Sequence, residues 1–192
     1  MMKQWSRWAL ATGTLVFSAT INAASINAEM LSFACGGCHG TDGGSAGDAM
    51  PSLASQSESS LVEAMLKFKS GERPATIMGR LAKGYSDDQI KAMGSFFAKQ
   101  KFHPTQQMVD KAKVARGAKL QEKACSRCHL DEGKDGKDDT PVMASQWLPY
   151  LQIQMKLYES GQRKMPDKMA EKVKELSKQD LDALLHFYAA QK

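Results

Sequence analysis

The apolar residues of this 192-residue chain fall into short groups at helical spacing, separated by clusters of glycine, serine and charged residues. Leu61, Val62, Met65, Leu66 and Phe68 recur at the interval of one helix face, and Gly71 ends the run. Residues 148–160 repeat the pattern, with Pro149 suited to a first helical turn and Gly161 at the stop. Two further helices open on serine. Ser86-Asp87-Asp88-Gln89 reads as a capping box ahead of Ile90, Met93 and Phe97, and Ser177 precedes Leu181, Leu184 and Tyr188 in the same way. One more helix leads into each of two cysteine-bearing stretches, the first beginning near Asn27. Turn-forming loops follow at 40–47 and 131–139. No segment alternates as a strand does. The predicted class is all-α, with about three main helices in each half of the chain.

The halves are copies of one unit. At a constant offset of 90, Cys35, Cys38 and His39 pair with Cys125, Cys128 and His129, and Pro51-Ser52-Leu53-Ala54-Ser55-Gln56 with Pro141-Val142-Met143-Ala144-Ser145-Gln146. Leu61, Met65 and Ser70-Gly71-Glu72-Arg73 pair with Leu151, Met155 and Ser160-Gly161-Gln162-Arg163. One inserted residue then moves the offset to 91, which pairs Met78 with Met169, Ser86 with Ser177, Phe96 with Phe187 and Phe97 with Tyr188. Register held over so many positions marks a tandem duplication.

The N-terminus falls outside the repeat. Lys3 and Arg7 precede an uncharged apolar run at 8–21, and Ala23, or as second choice Ala28, follows as a small residue suited to cleavage. This reads as a secretory signal peptide, and the run is shorter than the ~20 residues of a spanning helix. The expected organisation is a signal peptide at 1–23, a first domain at 24–102, a linker at 103–108 and a second domain at 109–192, with no membrane span and export to the periplasm. Formal net charge is +5. It drops to +3 without Lys3 and Arg7, and no Lys/Arg block interleaves with aromatics, so the charge gives no footing for nucleic acid.

All four cysteines lie in CGGCH and CSRCH, at 35–39 and 125–129. CxxCH is the attachment signature of c-type haem. Two thiols three positions apart on a helical turn reach the two vinyl groups of one haem edge, and the next residue presents an imidazole to the iron. A thioredoxin-like dithiol would need a strand-rich setting, a four-cysteine zinc site would bring its pairs closer, and two plain disulfides would not require histidine twice. Two covalently bound haem c groups are therefore expected, on Cys35 and Cys38 and on Cys125 and Cys128, with His39 and His129 as axial ligands. For the second axial ligand, His103 and His186 have no counterparts in the other half. Met78 and Met169 do, each eight residues before its capping serine on a turn-rich loop, and Met165 is the competitor to Met169. Met/His ligation fills both axial positions, which suits electron transfer better than oxygen or peroxide chemistry. Arg80 and Tyr85, beside Met78, are left open between haem contact and plain packing.

On these motifs the chain resembles the two-haem tandem cytochromes c. Within them, TIMGRLAKGYS at 76–86 and KMAEKVKEL at 168–176 are similar to the cytochrome subunit of flavocytochrome c sulfide dehydrogenase. That resemblance implies the same cysteines and iron ligands, with Met169 the least secure because of the nearby insertion. It also implies an FAD-containing sulfide dehydrogenase flavoprotein subunit as partner, which would oxidise sulfide and pass electrons on. The chain itself has no GxGxxG dinucleotide fingerprint. It is expected to be an electron-transfer subunit and not an enzyme. The alternatives are a free-standing two-haem carrier feeding a terminal oxidase, and a haem peroxidase with one displaceable ligand.

Overall fold

The computed structural model describes residues 27–136 and 140–192. The expected signal peptide lies outside the described residues. Among those described every regular element is helical, and the expected all-α class holds.

In the first half, α1 (Ala28–Phe33) is capped by Asn27, whose side chain accepts from the Met30 amide, and leads into α2 (Gly36–His39). α3 (Glu58–Ser70) is capped by Ser57 and ends on Gly71 at φ 84°, a left-handed conformation that glycine adopts without steric cost. A short α4 (Met78–Ala82) follows. Then comes α5 (Asp87–Ala98), whose reciprocal Ser86–Gln89 capping box is formed as the sequence predicts. α5 buries Ile90, Met93 and Phe97, the three positions expected to face inward.

The second half repeats this with α6 (Lys111–Leu120), α7 (Leu148–Glu159), α8 (Asp167–Lys174) and α9 (Lys178–Ala190). α6 runs into a π-helical turn at Gln121–Cys125. α9 is the most buried of the described elements, with Leu184, Leu185, Phe187 and Tyr188 packed in one cluster with Leu151 of α7. Its crossing with α6 is close because Gly117 lies there. A Cβ at that position would overlap the Ala183 carbonyl and meet the Phe187 Cβ at 2.6 Å.

The halves meet across a seam that carries the symmetry of the repeat. Gln56 accepts from the Val142 amide at 2.9 Å and donates to the Val142 carbonyl at 2.8 Å. Its counterpart Gln146 does the same with Ser52, the counterpart of Val142, at 2.9 Å and 2.8 Å. All four bonds are buried, and each contributes about 1 kcal/mol net. A contact in which residue i of one unit meets j of the other, and j meets i, is the isologous arrangement of a two-fold dimer, here made within one chain. Trp147 adds a bond from its indole N–H to the Ser45 carbonyl at 2.9 Å. The non-helical segment between α5 and α6 is pinned at its middle, His103 facing Asp42 at 2.9 Å and the Thr105 amide donating to Ser145 Oγ at 2.6 Å.

Candidate haem-binding sites

Cys35, Cys38 and His39 share one helical turn, in which the Cys38 and His39 amides donate to the Cys35 carbonyl at 3.2 and 3.0 Å. Both thiols are free, Cys38 exposed and Cys35 half-buried. Burial, and then the neighbouring Cys38, pushes the Cys35 thiol up. His39 is buried, and burial holds its pKa below the usual histidine range, so the imidazole is neutral at neutral pH. Its Nδ1 lies 2.8 Å from the Pro51 carbonyl. A carbonyl only accepts, so Nδ1 carries the hydrogen and Nε2 keeps a free lone pair. The chain leaves the turn at Gly40, φ 78°, where a Cβ would overlap the Gly44 carbonyl.

The second half builds the same turn with one difference. The Cys128 and His129 amides donate to the Cys125 carbonyl at 3.2 and 2.9 Å, and Gln121 donates to the His129 carbonyl at 2.7 Å. Burial lowers the His129 pKa as well. Its Nδ1, however, is buried without a hydrogen-bond partner among the described residues, as are Gln121 Oε1 and Tyr188 Oη. The Tyr188 ring stands edge-on to His129 at 6.1 Å, where the first half has Phe97. Burial, followed by the adjacent Cys125, drives the Tyr188 phenol well above its ordinary pKa, so it stays protonated.

Met78 and Met169 are both half-buried, but not on loops as expected. Met78 opens the short helix α4, and Met169 is the third residue of α8, whose N-cap is Pro166. α8 starts two residues before its methionine, whereas α4 starts on it. Met165 lies outside α8, on the turn before Pro166, and is also half-buried.

The residue pattern gave no role to Arg73 and Arg163, although it pairs them. Arg73 lies over the Phe68 ring at 4.6 Å and Arg163 over Tyr158 at 4.4 Å, the same pairing in each half. Both guanidiniums donate to Gln154 Oε1, at 3.0 and 2.6 Å, and Arg73 also reaches the Tyr150 hydroxyl at 3.4 Å. Burial, then the charge of Arg73, lowers the Arg163 pKa. Two cations meet at the seam on neutral partners. Repetition of the arginines at offset 90 was the signal available beforehand.

The residues present fit a haem in each half. Two free thiols and a neutral imidazole with one nitrogen held and one free form the donor set that covalent haem requires. α3 carries six apolar side chains yet fully buries none of its residues, and Ile77 and Leu81 around Met78 are half exposed. Such a half-covered apolar face fits a flat apolar group. In the second half Gln121 Oε1 and His129 Nδ1 are buried without a hydrogen-bond partner among the described residues, and the Tyr188 ring stands edge-on to His129.

The family model described as cytochrome c oxidase, cbb3-type, subunit III matches residues 112–187. Cytochrome c4 of Pseudomonas aeruginosa is 33% identical over 138 residues, covering 67% of this chain and 68% of that one. The chain belongs to the two-haem cytochrome c family. A crystal structure of reduced cytochrome c4 from Pseudomonas stutzeri superposes with a TM-score of 0.75 at 25% identity, covering 88% of this chain and all of its own. That agrees with the expected pair of helical domains of the two-haem cytochromes. The cytochrome subunit of sulfide dehydrogenase from Chlorobaculum tepidum is more similar over a shorter stretch, 44% identical over 69 residues. That stretch is 36% of this chain and 62% of the relative. Relatives in the two-haem cytochrome family carry electrons, and no helix among the described residues is long and apolar enough to cross a membrane.

Proposed function

We propose that this two-haem cytochrome is an exported, periplasmic electron-transfer subunit that works with an FAD-containing sulfide dehydrogenase flavoprotein. The observation that carries the electron-transfer part is the His39 turn. It has two free thiols, a neutral ring and an Nδ1–H fixed on Pro51, so that Nε2 is left free to ligate a metal. Cys35, Cys38, Cys125 and Cys128 would hold two haem c groups, with His39 and Met78 on one iron and His129 and Met169 on the other. When bound, each haem supplies a one-electron ferric/ferrous couple. The chain's residues would hold it covalently, ligate its iron and cover its apolar faces. Arg73 and Arg163 are cations suited to its carboxylates.

The sulfide partner rests on the wording of 76–86 and 168–176 and on the Chlorobaculum tepidum relative. A second reading, a free-standing carrier feeding a terminal oxidase, draws on the cytochrome c4 likeness, which runs over far more of the chain. Both readings require covalent haem. Acid acetone should leave the colour with the purified protein, and mass spectrometry should find two haems on a chain starting at Ala24. Haem extracted into the solvent would defeat both.

A further inference from the structure

The Pro51–Ser52 peptide group is bonded on both sides. Its carbonyl takes the His39 Nδ1–H at 2.8 Å. Its amide, the Ser52 N–H, donates to Gln146 Oε1 at 2.9 Å. Gln146 comes from the other half of the molecule and is itself held, because its Nε2 donates back to the Ser52 carbonyl at 2.8 Å. Gln146 and Ser52 are buried, at 3% and 7% exposure, so water does not substitute for either bond. An amide whose N–H is engaged has a more polarised carbonyl, and hydrogen bonds in series strengthen one another at low dielectric.

We infer that Gln146 is a positioning residue for His39, setting the basicity of the first half's imidazole from within the second half. The inference rests on the reading of His39 as an iron ligand. A stronger bond at Nδ1 makes a ligating imidazole more basic and favours the ferric state, which lowers the potential. The reciprocal clasp does not have this consequence. Gln56 engages the amide of the Pro141–Val142 peptide group at 2.9 Å, but His129 Nδ1 finds no partner among the described residues. The two glutamines make equal contributions to the seam and unequal ones to the histidines.

The test compares Gln146→Leu with Gln56→Leu in the haem-loaded protein. Each removes two buried bonds from the same seam. Redox titration followed by NMR, with each haem assigned, should show the potential of the His39 haem rise in Gln146→Leu and stay put in Gln56→Leu. The potential of the His129 haem should stay put in Gln146→Leu. The His39 Nδ1–H should exchange with solvent at least tenfold faster in Gln146→Leu alone. If Gln146→Leu does not fold, Gln146→Glu, whose carboxylate accepts more strongly from the Ser52 amide, should shift the same haem in the opposite direction, to a lower potential. Equal shifts in the two leucine variants, or none at the His39 haem, would reduce Gln146 to seam packing and overturn the inference. Absence of haem from wild-type Cys35 and Cys38 would instead defeat the reading of the motif, and is seen before any variant is made.

Discussion

His39 and His129 occupy one station of the repeat but differ in their hydrogen bonds, the first bound to Pro51 and the second unpartnered at Nδ1 among the described residues. The cysteines and histidines could be proposed from sequence because a covalent attachment needs two thiols and a ligand at fixed spacing, and spacing is what a sequence records. The methionines could be proposed only through repetition, since twelve are present and sulfur fills cores as readily as it ligates. Met78→His and Met169→His should each remove about half of the methionine–iron charge-transfer absorbance of the oxidised protein and lower one potential. Met165→Leu should leave the spectrum unchanged. Loss of one haem's band in Met165→Leu, with Met169→Leu silent, would move the second ligand to Met165.

At the scale of elements, the serine-capped helices needed no tertiary information. Ser86 with Gln89 and Ser177 with Asp180 each satisfy orphan amides within one turn, and both boxes are formed. The side-chain bond to Ser177, and then Arg116, holds the Asp180 carboxyl below the usual carboxylate range. A carboxyl depressed in the folded state adds stability that is fully present above its unfolded pKa near 4, and that is lost as pH falls through the lower folded value. Asp180→Asn should therefore be less stable than the wild type at neutral pH. Its denaturant midpoint should converge on that of the wild type in acid, and a gap independent of pH would refute the role. The short helices α4 and α8 were missed. Five and eight residues hold too few apolar positions to show a period, and their helical state comes from docking, as where Gly79 of α4 approaches the Phe68 carbonyl of α3.

At the scale of the molecule, the partner follows from how the surface is used. A permanent subunit interface buries on the order of 1,600 Å² or more and tolerates salt, whereas a mobile carrier docks through charge and weakens as salt rises. Gel filtration of periplasmic extract at low and high salt should carry the haem absorbance with a flavoprotein in both, and sulfide should reduce both haems in that fraction. A haem peak running as a lone ~20 kDa species at every salt concentration would favour the free carrier.

By itself the sequence determined that the chain is duplicated, that it is helical, and which thiols and imidazoles stand together, because each of these is written in local spacing. The seam was decided only by the tertiary structure. Gln56 and Gln146 repeat at offset 90, yet nothing along the chain says that each clasps the backbone of the other's half, 86 and 94 residues away. Nor does it say that the amide so clasped shares its peptide group with the carbonyl that holds His39. Pairings of that kind depend on how two folded surfaces meet, and a one-dimensional pattern carries no term for it.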